Sequence, residues 1–192
     1  LLPVDSPQFA AGGAPQLVVG EGVAGAVGRG AVARLLRLRA LCGDRLGAAG
    51  AEIEVLHPPK EGGHLSDNDA SLTLRVSWPG MSVLFAGDVE RAGEAMIAGT
   101  DCRAAVMKAP HHGSHTSSTA VFLDAVGPAH AVISTAARTK LAPTGPGVLE
   151  RYAKRGITVW RTDLHGGIRL RAWDGQTVLY SARRARGYDL AP

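Results

Sequence analysis

The spacing of apolar and polar positions changes several times along the chain, and each change marks an element. Over residues 31–41 the apolar side chains Val32, Leu35, Leu36 and Leu41 recur near helical spacing. Arg34, Arg37 and Arg39 lie between them, which predicts an amphipathic helix ended by Gly43 and Asp44. The period then drops to two. Ile53 and Val55 alternate with Glu52 and Glu54, predicting a strand that stops at His57-Pro58-Pro59. After a polar loop over 60–69, Leu72, Leu74 and Val76 alternate with Thr73, Arg75 and Ser77 as a half-buried strand. Pro79-Gly80 turns the chain, and 81–86 returns as a more buried strand that delivers Gly87-Asp88. From there helices and strands alternate. Helices are predicted over 90–98, over 119–126 with Ser117 or Ser118 as cap, and over 148–155 closed by Gly156. Strands are predicted over 104–109, 131–134, 158–161, 168–173 and 178–180. The pattern is α/β, with helices packed on mixed sheets.

Composition narrows the class. The chain has 192 residues, 45% apolar and 20% charged. That suits one globular core and excludes a disordered chain or a coiled coil. A membrane span needs about 18–20 uncharged apolar residues, and the most apolar early stretch, 18–46, is broken by Glu21, Arg29, Arg34, Arg37 and Arg39. At Leu1 no basic start precedes an apolar run, so no signal peptide is expected. The expected organisation is a loop-rich lead-in with one helix over 1–50, the main unit over 51–182, and a basic tail over 183–192 holding Arg183, Arg184 and Arg186. Net charge is +4, and 17 of the 21 basic residues are arginine. This balance permits a nucleic-acid partner without requiring one. Cys42 and Cys102 fit neither a disulfide framework nor a cysteine zinc site; each is expected as a small buried side chain, with a single bridge between them left open. No G-x-x-x-x-G-K-[ST] or G-x-S-x-G occurs, so neither a nucleotide cofactor nor an α/β-hydrolase site is expected.

The chemistry sits at strand ends. Asp88 follows a buried strand and precedes a helix; a metal with mixed oxygen and nitrogen ligands would suit it, as would a helix N-cap. His111 and His112 follow another strand. Neighbouring side chains on a strand point opposite ways, so at most one of the two is expected to ligate. The run from Pro110 to Ser118 also holds Ser114, His115, Thr116 and Ser117, just before a helix N-terminus. Such a loop suits a phosphate, or is a solvated loop with a capping serine. Lys108, on the strand leading in, can neutralise a phosphate or solvate a strand edge. Asn68-Asp69 reads as turn chemistry, and His57 as structural.

Taken in order, several stretches carry a resemblance. They are Asn68-Asp69-Ala70-Ser71-Leu72, Leu84-Phe85-Ala86-Gly87-Asp88-Val89-Glu90, Lys108-Ala109-Pro110-His111-His112-Gly113-Ser114, Thr116-Ser117-Ser118, Ala131-Val132-Ile133-Ser134 and Trp160-Arg161-Thr162-Asp163. This series resembles the C-terminal metallo-β-lactamase-like domain of the ComEC family of DNA-uptake competence proteins, over roughly residues 53–170. The resemblance implies a four-layer αββα sandwich with a metal cleft along one edge. The present chain would be its C-terminal half, without the half that carries H-x-H-x-D-H. With one sheet from each half, this half alone would expose an apolar sheet face.

The resemblance further implies a phosphodiester-cleaving hydrolase that uses two zinc or manganese ions. Asp88 would bridge the ions, His111 and His112 would ligate, and Asp88 and His112 would be the catalytic pair. Lys108, Ser114, His115, Thr116 and Ser117 would hold the phosphate backbone, with Asn68 and Asp69 supporting the ligands. The partners would be a DNA single strand and a membrane channel domain of the same or another polypeptide, placing the domain at a bacterial cell membrane. Two features depart from the family. The H-x-H-x-D-H motif is absent, and a late Gly-His-Pro or Pro-His-Pro is replaced by Leu141-Ala142-Pro143-Thr144-Gly145-Pro146. The alternative expectation is therefore an inactive domain that binds DNA or docks to the channel.

Overall fold

The computed structural model describes residues 16–19, 41–48, 50–61, 64–135, 144–173 and 176–181. Ten strands form two sheets: β1 (Gln16–Val19), β2 (Arg45–Ala48), β3 (Ala51–His57), β4 (Thr73–Trp78), β5 (Met81–Phe85), β6 (Val106–Lys108), β7 (His130–Ile133), β8 (Thr158–Arg161), β9 (Ile168–Trp173) and β10 (Gln176–Ser181). The helices are α1 (Arg91–Ala98), α2 (Ala120–Val126), α3 (Pro146–Lys154) and the single turn α4 (Thr162–His165).

The larger sheet runs β2-β3-β4-β5-β6-β7-β8 and the smaller one β1-β9-β10. In the larger sheet β2 to β5 pair antiparallel, as successive hairpins. From β5 to β8 the pairing is parallel, because helices α1, α2 and α3 separate those strands and carry the chain back. Both faces of this sheet are covered. On β5, Met81, Val83 and Phe85 face one core while Leu84 faces the other; on β7, Val132 opposes Ala131 and Ile133. Burial on both faces explains why these strands read as continuous apolar runs.

The first core lies between the two sheets, where Ile168, Leu170 and Leu179 meet Val55, Val76, Val83 and Trp160. The second lies between the larger sheet and its helices, where Leu84 and Met107 meet Ile97, Phe122, Leu123, Val148 and Tyr152. The order small sheet, large sheet, helices supplies three of the four layers of a metallo-β-lactamase-like αββα sandwich. It also corrects the expectation of one sheet per half. This chain contributes strands to both sheets, and β9 and β10 cover the sheet face that was expected to be bare.

Most predicted boundaries fall within a few residues of the observed ones. Strand β2 was not anticipated, because Leu46 is the one large apolar residue in its four; Arg45 anchors it by reaching Glu52 at 3.0 Å and Glu54 at 2.8 Å. The predicted helix over 31–41 lies outside the described residues except for Leu41, whose N–H donates to Asp44 Oδ2. The basic tail lies outside them entirely. Neither Ser117 nor Ser118 caps α2: Thr119 does, accepting from Phe122 N at 3.4 Å. Both cysteines are free, Cys102 buried and Cys42 half-buried. Among the described residues no helix is long and apolar enough to cross a membrane.

Candidate active site

Parallel strands end together, so β5, β6, β7 and β8 deliver their following residues to one edge of the sheet. Open α/β sheets bind ligands at such an edge. The first delivery is Gly87-Asp88. Gly87 has φ +62°, and a Cβ on it would lie 2.8 Å from Ser71 Cβ and 3.2 Å from the Leu72 carbonyl. Only glycine fits that corner. The Asp88 N–H then donates to Ser71 Oγ at 3.1 Å.

Asp88 does not cap α1. Asp69 does so from a distance: its Oδ1 accepts from Glu90 N at 2.9 Å and Gly93 N at 2.8 Å, and its Oδ2 from Ser66 Oγ at 3.1 Å. Burial pushes the Asp69 carboxyl up, but the Gly93 and Glu90 amides, the Ser66 hydroxyl and His57 outweigh it and leave it below the usual carboxylate range. Buried His57 holds this loop in turn, with Nε2 2.5 Å from the Asp69 carbonyl. The structural reading of His57 therefore holds. Asp69 supports a helix start rather than a ligand. Asn68 sits half-buried in the same turn, its carbonyl accepting from Ser71 N.

Relieved of capping, the Asp88 side chain is 44% exposed and faces Lys108 and His112. Lys108 Nζ, on β6, is 3.8 Å from Asp88 Oδ1 and 3.4 Å from the Gly87 carbonyl. Burial lowers the Lys108 pKa against the pull of Asp88. His112 Nε2 is 3.6 Å from the same Asp88 oxygen. The other His112 nitrogen, Nδ1, lies 2.8 Å from the Ser134 carbonyl at the end of β7. A carbonyl can only accept, so Nδ1 carries a hydrogen, and Nε2 is the nitrogen turned toward Asp88. Histidine ligands are commonly oriented by such a bond.

The two histidines diverge, and they do so on a tight turn rather than on a strand. Residues 111–113 turn tightly with φ of 43°, 52° and 78°. Left-handed backbone is costly for non-glycine residues. Here it swings His111 away, so that its Nδ1 lies 3.0 Å from Glu90 Oε1. Glu90 Oε1 also accepts from Thr116 Oγ1 at 2.7 Å, and Thr116 Oγ1 lies 3.0 Å from Ser114 Oγ. Ser117 is buried and donates to the Pro110 and Ser114 carbonyls; its hydroxyl braces the loop and is not offered to a phosphate. His115 is exposed at the outer end.

Beneath the loop lies Glu94, fully buried, which the sequence reading did not single out. Its carboxylate accepts from Ser118 N and from Thr119 N, the latter at 2.7 Å. Burial pushes its carboxyl up, opposed by those donors and by Arg151. Ser118 Oγ is 2.7 Å from the Tyr152 hydroxyl, whose pKa burial lifts to about 12. The sequence signal was present, because helical spacing puts Glu94 on the same face as Ile97.

A zinc or manganese centre needs at least three protein donors. Among the described residues no group of three or more His, Cys, Asp or Glu side chains is placed to hold an ion. Asp88 and His112 alone do not fit the expected two-ion centre. Near the His loop Thr144 is buried, and its Cγ2 would lie 3.0 Å from a Cβ on Gly113.

Fold and edge cluster together define an α/β layered domain with a polar site at the carboxyl ends of its parallel strands. The chain is homologous to a segment of each of three proteins named for competence or recombination. It is 36% identical over 122 residues to "Competence protein ComA" of Neisseria gonorrhoeae, a match covering 62% of this chain and 18% of that protein. It is 32% identical over 131 residues to "ComE operon protein 3" of Bacillus subtilis, covering 67% and 17% respectively. It is 30% identical over 118 residues to "Recombination protein 2" of Haemophilus influenzae, covering 62% and 15%. The matches thus span less than a fifth of these relatives. No family model matches the chain. Among solved structures, the "CmlA beta-hydroxylase E377D mutant" aligns over 81% of this chain and 39% of that one, at 14% identity and a TM-score of 0.44.

Proposed function

We propose that this chain is the C-terminal part of a phosphodiester-cleaving domain that acts on DNA during competence-linked uptake, as a non-spanning unit of a membrane-associated protein. The observation that carries this reading is the pairing of Asp88 with His112. Asp69 has taken over the capping of α1, and the Ser134 carbonyl fixes the His112 tautomer. A carboxylate oxygen of Asp88 and the Nε2 of His112 are left 3.6 Å apart at the strand-end edge. In this reading the two are the chain's share of a divalent-metal centre whose other donors lie on a segment bearing H-x-H-x-D-H. Lys108 sets the charge beside Asp88 and can meet a phosphate oxygen.

The test joins this chain to such an upstream segment and measures manganese- or zinc-dependent cleavage of single-stranded DNA. Asp88→Ala and His112→Ala are each expected to lower the rate by more than about a hundredfold, beyond the cost of losing a merely supporting residue. Cleavage within tenfold of the parent in both variants would end the assignment. The 192-residue chain alone is expected to be inactive.

A second reading has its own support. Lys108 stands 3.8 Å from Asp88, where a cation would otherwise sit, and no three-donor group is present among the described residues. On that reading the domain binds DNA or docks to the channel without chemistry. DNA affinity without cleavage in the joined polypeptide would favour it.

A further inference from the structure

Beside the His loop a cavity of about 210 Å³ opens between α1, α2 and α3. Its walls include Arg91, His115, Thr116, Thr119 and Arg151, and no carboxylate is among them. We propose that this cavity is a second phosphate subsite, which holds a backbone phosphodiester of the same nucleic-acid strand one step beyond the candidate active site. The proposal rests on the reading that the domain handles DNA, and names where the strand is gripped.

Arg151 is pre-positioned. Its Nε donates to the Ser118 carbonyl at 2.6 Å and its Nη2 to the Ser117 carbonyl at 2.8 Å. An arginine has five N–H donors in a rigid fork, so these two bonds fix the guanidinium and leave the rest for a ligand. Arg91 is exposed at the first turn of α1, and among the described residues no hydrogen bond or ion pair engages its guanidinium. Guanidinium forks match phosphate oxygens better than any other side chain. The nearest carboxylates are already occupied. Glu94 accepts from the Ser118 and Thr119 amides, and Glu90 holds His111 and Thr116.

Size and position agree with this role. The volume is below the roughly 300–1,000 Å³ of pockets that enclose a whole drug-sized ligand, so it suits one phosphodiester group rather than a nucleoside. Thr116 lines the cavity and bonds Glu90, which bonds His111, the neighbour of His112. The two sites therefore adjoin along one loop, and a single strand can touch both.

The experiment titrates a short fluorescent oligothymidylate with the full 192-residue chain, in chelator, across a series of salt concentrations. Arg91→Gln is expected to weaken binding roughly five- to tenfold and to reduce the slope of log affinity against log salt by about 0.7, the value for one phosphate contact on a single strand. Arg91→Lys should restore most of the slope. Arg103→Gln removes the same charge at the opposite end of β6 and should bind within twofold of the parent. Equal affinity for the Arg91→Gln and Arg103→Gln chains overturns the proposal, as does an absence of binding by the parent. Chelation removes metal from the comparison, so this failure is separable from that of the hydrolytic reading. If Asp88→Ala abolishes cleavage but Arg91→Gln leaves affinity unchanged, the subsite falls and the proposed activity stands.

Discussion

At the scale of single residues, capping falls to an aspartate that local sequence does not suggest. Asp88 lies ahead of a helix and reads from sequence as its cap, but the N-cap position is Glu90, and Asp69 caps the helix through Glu90 N and Gly93 N. The reason lies in reach: the bonds span 21 and 24 residues, and no local pattern encodes them. What was legible was that residue types rich in chemistry cluster at strand ends. Which of them are consumed by structure was not. Because the Asp69 carboxyl is held below the usual range, its charge contributes stability that is fully present above the unfolded-state value of about 3.9 and is lost as pH falls through the folded value. Asp69→Ala is therefore expected to destabilise the protein by about 0.5–2 kcal/mol at neutral pH, with a flatter loss of stability on acidification. Urea midpoints for parent and variant between neutral pH and about pH 3 measure both effects. Parallel curves would show that the cap contributes no charge-dependent term.

Elements were legible wherever burial imposes a period. Strands β4 and β5 and helix α1 follow from alternation and from helical spacing, and their ends follow from Pro79-Gly80 and Gly87. The segment from Pro110 to Ser118 was not legible in the same way. Its shape comes from left-handed residues and from bonds to distant groups, among them Glu94, Arg151 and Ser134. Glu94 carries this loop from below, with one oxygen for each of two amides. A glutamine in its place keeps one acceptor and turns an NH2 toward the other amide. Glu94→Gln is accordingly expected to cost about 1–3 kcal/mol and to speed hydrogen exchange at the Ser118 and Thr119 amides while leaving β5 protected. Unchanged exchange at those amides would mean that the loop holds its form without the carboxylate.

At the scale of the molecule, the layer order follows the family resemblance, but the expected division of one sheet per half does not, because this chain carries strands of both sheets. Period-two patterning in β9 reports that one face is buried without saying which sheet covers it. Leu170, fully buried, ties the two sheets together with Ile168 and Leu179. Leu170→Ala leaves a cavity and is expected to cost about 2–5 kcal/mol, a large share of the roughly 5–15 kcal/mol available to a domain. The urea midpoint should fall with little change in slope; an unshifted midpoint would mean that the sheets do not share a core. The pairing of β1 with β9 bears on how the protein is made. Gln16–Val19 align with residues 168–171, so the ribosome releases one partner near the start of the described chain and the other near its end. Until β9 is made, the edge of β1 that pairs with it stays open, as a template for strands of other nascent chains. The smaller sheet is the last part to assemble, and slow synthesis or a premature stop ahead of β9 would produce chains prone to pair with one another instead of with themselves.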